Sequence, residues 1–284
     1  MGERRRTFDT DKETGEYIEY IEWREGDTLR SKEQREWFFD RMERYADKTD
    51  FVWLKFAYNN DFYAPISPEN LTRLIYFATF CNSECYVMTD KDIKSMLGIN
   101  PNQVKSFRDT FFGSVIIKDK ERLYLKDDLF GKGKIGEQNR DYIRLFTGVT
   151  RELYKSCKKT GEHAYLSYFF RMLPFVNRQT NILCRSQQEQ DREHIAYMTT
   201  TEFFDLLGRT HHGRIKTQLQ TYRINGELLI GFFDTLDTLI PQGRHAIINP
   251  ILYYGGDRTK QTYADIRKLF KNEKNEYEKK VEKC

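Results

Sequence analysis

The eleven residues Met88–Gly98, MTDKDIKSMLG, are echoed 110 positions later by Met198–Gly208, MTTTEFFDLLG. A phrase spelled twice in a chain without low-complexity sequence implies one local structure built twice. Both copies begin Met-Thr and end Leu-Gly. Thr89 and Thr199 stand as helix N-caps, with Asp92 and Glu202 three residues on, the spacing of a reciprocal capping box. Apolar residues at Ile93, Met96 and Leu97, and at Phe203, Leu206 and Leu207, recur at helical spacing and can bury one face. Gly98 and Gly208 then supply the left-handed residue that stops a helix.

A second short helix follows each stop. Pro101 after Asn100 opens the first, with Val104, Phe107 and Phe111 as its buried stripe. Thr210 caps the second, which buries Ile215, Leu219 and Tyr222. Beyond copy one, Val115–Ile117 and Leu123–Leu125 read as strands around a charged turn. Beyond copy two, GELLIGFF and RHAIINPILYY do the same across DTLDTLIPQG. An apolar helix precedes each copy, LTRLIYFATFC and AYLSYFFRMLPFV. Three helices and a β-hairpin make a winged helix, and the repeat period is too long for a solenoid. The expected fold is therefore mainly α with small β-hairpins (α+β), carrying two tandem winged helix-turn-helix domains at residues 61–136 and 161–258.

The flanks are expected to serve these domains. Residues 1–60 read as an extension packed on the first domain: a hairpin turning at Glu13–Gly15, a helix capped by Ser31, and the strand FVWLKFAY. Residues 137–160 read as a connecting amphipathic helix with Tyr142, Leu145, Phe146, Val149 and Leu153 on one side. Residues 259–284 read as a charged helix, either solvated or pairing with a second copy of the chain.

Charge is uneven. Residues 1–70 carry 12 basic and 17 acidic side chains, so their share is −5, and with +4 over the whole chain the remainder is +9. A basic body suits a polyanionic partner. No apolar run approaches the roughly 20 residues that span a bilayer. The start, MGERRRTFDTDKETGE, lacks the apolar segment of a secretory signal. The expectation is a cytoplasmic protein without a membrane partner. Five cysteines at irregular spacing, with no second Cys or His pair near Cys81 and Cys85, point to buried, reduced thiols rather than zinc.

A helix lying in the major groove of double-stranded DNA needs side chains that reach base edges and phosphates. The second helix of copy one offers Asn102, Gln103, Lys105, Ser106 and Arg108, though Asp109 intrudes. That of copy two offers His211, His212, Arg214, Lys216, Thr217 and Gln218. Arg209 to Arg223 holds four basic residues and no acidic one. The hairpins add Lys118, Lys120 and Arg122 in KDKER, Lys132 and Lys134 in the glycine-flanked FGKGKIG, and Arg244, all suited to phosphate contact. The bland alternative for each is an exposed, solvated side chain. No P-loop, HExxH, GxSxG or CxxC occurs, and His211–His212 opens a polar helix instead of alternating along a strand. The pattern is that of a non-enzymatic protein with no cofactor and no metal.

The segments DTDKETGEYIE, LTRLIYFATF, LFGKGKI, RMLPFVNRQTNILC and IINPILYYGG resemble those of winged-helix DNA-binding proteins of Firmicute phages and plasmids, similar to RepL-type plasmid replication proteins. The resemblance implies a mobile-element origin, a bacterial or phage-infected cell, and a second hairpin ending at Asn249–Pro250. It implies a site-specific transcription regulator, with a replication initiator as the alternative; either would meet host transcription or replication proteins. A third reading, from another class, is a winged-helix adaptor between proteins that binds no DNA.

Overall fold

A computed structural model describes residues 6–10, 17–21, 51–55, 65–127, 129–132, 142–189, 191–208, 212–234, 244–254 and 261–281. The chain is mixed α+β and divides into two compact units, Met1–Lys48 and Thr49–Cys284. In the first unit, β1 (Arg6–Thr10) and β2 (Tyr17–Ile21) pair antiparallel with Thr10 opposite Tyr17. The expected turn at Glu13–Gly15 and the helix from Ser31 lie outside the described residues.

The second unit opens with β3 (Phe51–Lys55), whose alternate residues Val52 and Leu54 are buried. Copy one follows. In α1 (Pro68–Ala78), Ser67 accepts the Asn70 backbone N–H at 3.3 Å and Pro68 presets the first turn. Every residue from Asn70 to Ala78 is buried, as befits a helix surrounded by protein. Then come β4 (Tyr86–Thr89), a tight 3-10 turn at Asp90–Asp92, α2 (Ile93–Leu97), α3 (Pro101–Phe111), β5 (Ile116–Asp119) and β6 (Arg122–Leu125). The three strands form an antiparallel sheet in the order β4-β6-β5.

The first phrase therefore starts as a strand. Thr89 pairs with Arg122 across the sheet, and its hydroxyl bonds the Asp92 carboxylate instead of a helix N–H. The capping box lies one helix later. Asn100 Oδ1 accepts from the Gln103 N–H at 3.0 Å, and Gln103 Oε1 accepts from the Asn100 N–H at 3.1 Å.

β7 (Phe130–Gly131) and β8 (Tyr142–Phe146) flank β3 on either side. The connecting helix expected from residue 137 thus begins only with α4 (Thr147–Ser156). Residues 142–146 are extended because Ile143 and Leu145 alternate inward opposite Leu54 and Val52. A period of two in contact with a ready partner strand overrides a weaker helical pattern.

Copy two consists of α5 (Thr160–Met172), an irregular stretch to residue 199, α6 (Thr200–Leu206), α7 (His212–Leu219), β9 (Arg223–Ile224), β10 (Glu227–Leu228), β11 (Ile230–Asp234) and β12 (Arg244–Ile248). Thr199 makes the expected box: its hydroxyl accepts from the Glu202 N–H at 3.2 Å, and Glu202 accepts from the Thr199 N–H at 2.7 Å. Gly98 and Gly208 both sit at φ +63°, the left-handed stop read from the sequence. Leu206, expected inside, is exposed, and Phe204 takes the buried place beside Phe203. Ile182 bridges Ile247 while Gly231 pairs with that same residue from β11. The order Ile182, β12, β11 repeats the order β4, β6, β5. Copy two adds the tight β9–β10 hairpin, turned by Asn225 (φ 51°) and Gly226 (φ 81°), an Asn-Gly turn of the type that matches strand twist.

The last helix, α8 (Gln261–Val281), buries Ile266 and Phe270 against Ile182, Leu228, Ile247 and Tyr254. Within residues 49–284 the main core runs without a break from Val52 to Tyr253, with α1 packed along α5. The divisions expected at 136/137 and 160/161 fall inside this single compact unit.

Candidate nucleic-acid interface

The rotation of α7 is set by what it buries. Ile215, Leu219 and the following Tyr222 all face the core, and the Tyr222 hydroxyl donates to the Glu162 carbonyl at the start of α5, 2.5 Å away. The opposite face is thereby turned outward. Arg214 and Thr217 are exposed, and Lys216 and Gln218 are half-buried at its margin. Lys216 Nζ lies 4.4 Å from the centre of the Phe232 ring on β11, a cation–π contact that steadies the chain while leaving its charge uncancelled. Thr217 Oγ1 donates to the Gly213 carbonyl at 2.9 Å, and Gln218 Nε2 donates to Thr221 Oγ1 at 3.1 Å. No acidic residue occurs from Leu206 to Gly226. Of the four basic residues in this stretch, Arg223 is withdrawn. Its guanidinium forks onto Glu273 at 2.9 and 2.7 Å and stacks on Tyr277. His211 and the His212 side chain lie outside the described residues.

The matching face of α3 is less available than its sequence suggests. Asn102 and Lys105 are exposed. Gln103 is occupied as the reciprocal cap of its own helix. Ser106 turns toward α1, where its hydroxyl accepts from buried Asn70 Nδ2 at 3.2 Å. Arg108 Nη2 meets Asp90 Oδ1 at 2.7 Å, and Lys118 Nζ from β5 meets Asp90 Oδ2 at 2.6 Å. Two side chains expected to contact DNA are thus ion-paired within the protein, because the 3-10 turn after β4 carries Asp90 between them. The β5–β6 hairpin presents Lys120 (φ 54°) and Arg122 to solvent, beside exposed Asp119 and Glu121. A hydrogen bond with Tyr124 raises the Arg122 guanidinium further above its already high range. Lys132 directly follows β7, so the glycine-flanked loop starts as a paired strand; Lys134 lies outside the described residues. Arg244 opens β12 opposite Asp234. The two helices are therefore unequal, and α7 carries the more open basic face.

Sequence reasoning missed Asp90, although the two phrases align it with Thr200 and so mark it as a difference between the copies. It also missed a buried polar cluster where α1, α4 and α5 meet. Arg73, 5% exposed, donates from Nη1 to Asn70 Oδ1 at 2.8 Å. Burial, and then the Arg73 charge, push the His163 imidazole down to about 4. Burial raises the Tyr154 hydroxyl to about 12, and that hydroxyl donates to the Leu97 carbonyl at 2.8 Å. An arginine amid the apolar run LTRLIYF was the available signal. The cluster joins the copies structurally and is not part of the basic face.

Among the described residues no three His, Cys, Asp or Glu side chains gather as a metal site. Cys81, Cys85, Cys157 and Cys184 are buried thiols, and burial raises Cys157 and Cys184 to about 11. No helix among the described residues is long and apolar enough to cross a membrane. No family model, curated protein or solved structure matches the chain.

Proposed function

We propose that this chain is a site-specific double-stranded-DNA-binding regulator built on two winged-helix domains, with α7 as its main base-reading helix. The repeated order of helix, strand or bridging residue, two helices and hairpin, with the same strand neighbours in both copies, supports the winged-helix reading. The observation that carries the function is the outer face of α7. Arg214 and Thr217 are exposed there, Lys216 is charged at its edge, and acidic residues are absent for twenty-one positions, Leu206 to Gly226. Arg and Lys pair with guanine, Gln with adenine, and Thr with either phosphate or base. The resemblance of segments 9–19, 71–80, 129–135, 171–184 and 247–256 to phage and plasmid proteins supports an origin in a phage or other mobile element.

The test is selection of duplex fragments from genomic DNA with the full chain, followed by gel-shift titration on the recovered site. Arg214→Ala and Lys216→Ala are expected to weaken binding by about 1–3 kcal/mol each. Lys120→Ala should cost less and do so equally on cognate and random duplex, the mark of a phosphate contact. Equal small losses at all three positions would remove α7 as the reader. Failure of the wild type to bind any duplex, or binding indifferent to salt, would favour a protein-binding adaptor.

A further inference from the structure

We infer that Asp90 makes the two copies unequal partners for DNA: its carboxylate fills, from within, a phosphate-clamping site formed by Arg108 and Lys118. This rests on the DNA-binding reading above. Two cations from different elements, α3 and β5, converge on the two oxygens of one anion at 2.7 and 2.6 Å. A helix and its adjoining hairpin would grip a backbone phosphate with the same arrangement. The anion here is supplied by the protein. The Asp90 side chain is only 13% exposed, and its backbone N–H donates to the Glu121 carbonyl at 2.9 Å, which anchors it to the turn of the hairpin. Its carbonyl also takes Arg108 Nη2 at 3.3 Å. Asp90 therefore ties α3, β5 and the hairpin turn together while cancelling one of their two charges outright and sharing its field with the other.

Copy two lacks this device. Aligning the phrases at Met88 and Met198 places Thr200 at the position of Asp90. Thr200 begins α6 and is buried. The second helices also correspond, since α3 starts at Pro101 and α7 at His212. Lys105 then matches Lys216, and Gln103, used as a cap, matches exposed Arg214. The Asp90/Thr200 and Gln103/Arg214 differences both leave less free positive charge on copy one, and they outweigh Arg108, which aligns with buried Leu219. Copy one thus serves as a weakly held support, and copy two supplies the sequence choice.

The experiment measures affinity of the full chain for a mixed-sequence duplex across a salt series. Asp90→Asn frees the pair to grip one backbone phosphate, which should raise affinity about tenfold near 0.1 M salt and steepen the log–log salt slope by about one. Asp90→Thr, which copies the other module, should do the same. Adding Arg108→Ala and Lys118→Ala to Asp90→Asn should abolish the gain. The inference is overturned if Asp90→Asn keeps its gain after both cations are removed, since the gain would then not come from Arg108 and Lys118. It is also overturned if folded Asp90→Asn and Asp90→Thr bind like wild type while Arg214→Ala binds less, an outcome that leaves the DNA-binding reading standing. Absence of duplex binding in every variant sinks both.

Discussion

His163 lies at the crossing of α5 with α1 and α4, and it is neutral at physiological pH. Its carbonyl accepts from Thr72 Oγ1 at 2.8 Å, and its ring lies 4.4 Å from that of Tyr154. Burial first, and Arg73 second, hold the imidazole at about 4 against an ordinary 6.5. The unfolded chain therefore gains a proton near pH 6.5 that the folded chain refuses until about 4. Between those values the unfolded state binds more protons, so stability falls as the pH falls; below 4 the loss stops growing. Partial exposure of the ring reduces the effect to about 1–2 kcal/mol. Urea midpoints from pH 7.5 to 4.5 should fall more steeply for wild type than for His163→Gln, and parallel curves would show that the imidazole is not the titrating group. At this scale the sequence was readable where a residue acts through its own helix. The Ile215, Leu219, Tyr222 stripe correctly turned Arg214 and Thr217 outward. It was not readable where a partner came from elsewhere in the chain: Ser106 is claimed by Asn70, and Arg108 and Lys118 by Asp90, across separations that no local pattern encodes.

α8 shows how an element acquires its role from its docking. The sequence announces a charged helix from residue 259, and the helix is there from Gln261. Its apolar residues are sparse, and burial is confined to the first three turns. Phe270 is fully buried and meets Phe233 edge-on at 5.1 Å between ring centres. Arg267 pairs with Glu227 in a largely buried bridge and also bonds Asn249. Burial would raise the Glu227 carboxyl, but Arg267 and Asn249 outweigh it and hold it below the usual range. Phe270→Ala should cost about 3–5 kcal/mol, read as a lowered urea midpoint. Lys279→Ala, on the exposed end, should stay within about 0.5 kcal/mol. A large loss at Lys279 would mean that the helix is docked beyond Tyr277, on which Arg223 stacks. The partners of α8, Glu227 and Asn249, sit on a hairpin and a strand end that the sequence could not associate with it. The β9–β10 hairpin was missed, although Asn225-Gly226 is a strong turn signal that the sequence carried. β8 was misread because Tyr142, Leu145, Phe146 and Val149 satisfy a helical period equally well, and only the presence of β3 decides for a strand.

Across residues 49–284 the two copies share one interior. Tyr76 of α1 stacks on Tyr154 of α4 at 3.9 Å, and α1 lies along α5. Unfolding of this unit should be a single transition, with calorimetric and van't Hoff enthalpies equal. Phe77→Ala, in copy one, should speed reaction of the Cys184 thiol, in copy two, by the same free energy as it lowers global stability. If Cys184 protection is unchanged, the copies melt separately. The duplication was legible because each copy repeats its phrase and its glycine stop, although only Thr199 caps its helix as the spacing predicts. Their common core was not, since a helix buried on every side reads the same whichever neighbour covers it. The pairing of β3 with β8 has a mechanical consequence. Phe51 faces Phe146 at one end of the ladder, and Lys55 faces Tyr142 at the other. Tension drawn along the backbone from outside this pair arrives at Phe51 and Phe146 together and peels the rungs in turn, at low force. Until Lys55 parts from Tyr142, copy one hangs slack behind a closed zipper, shielded from the load.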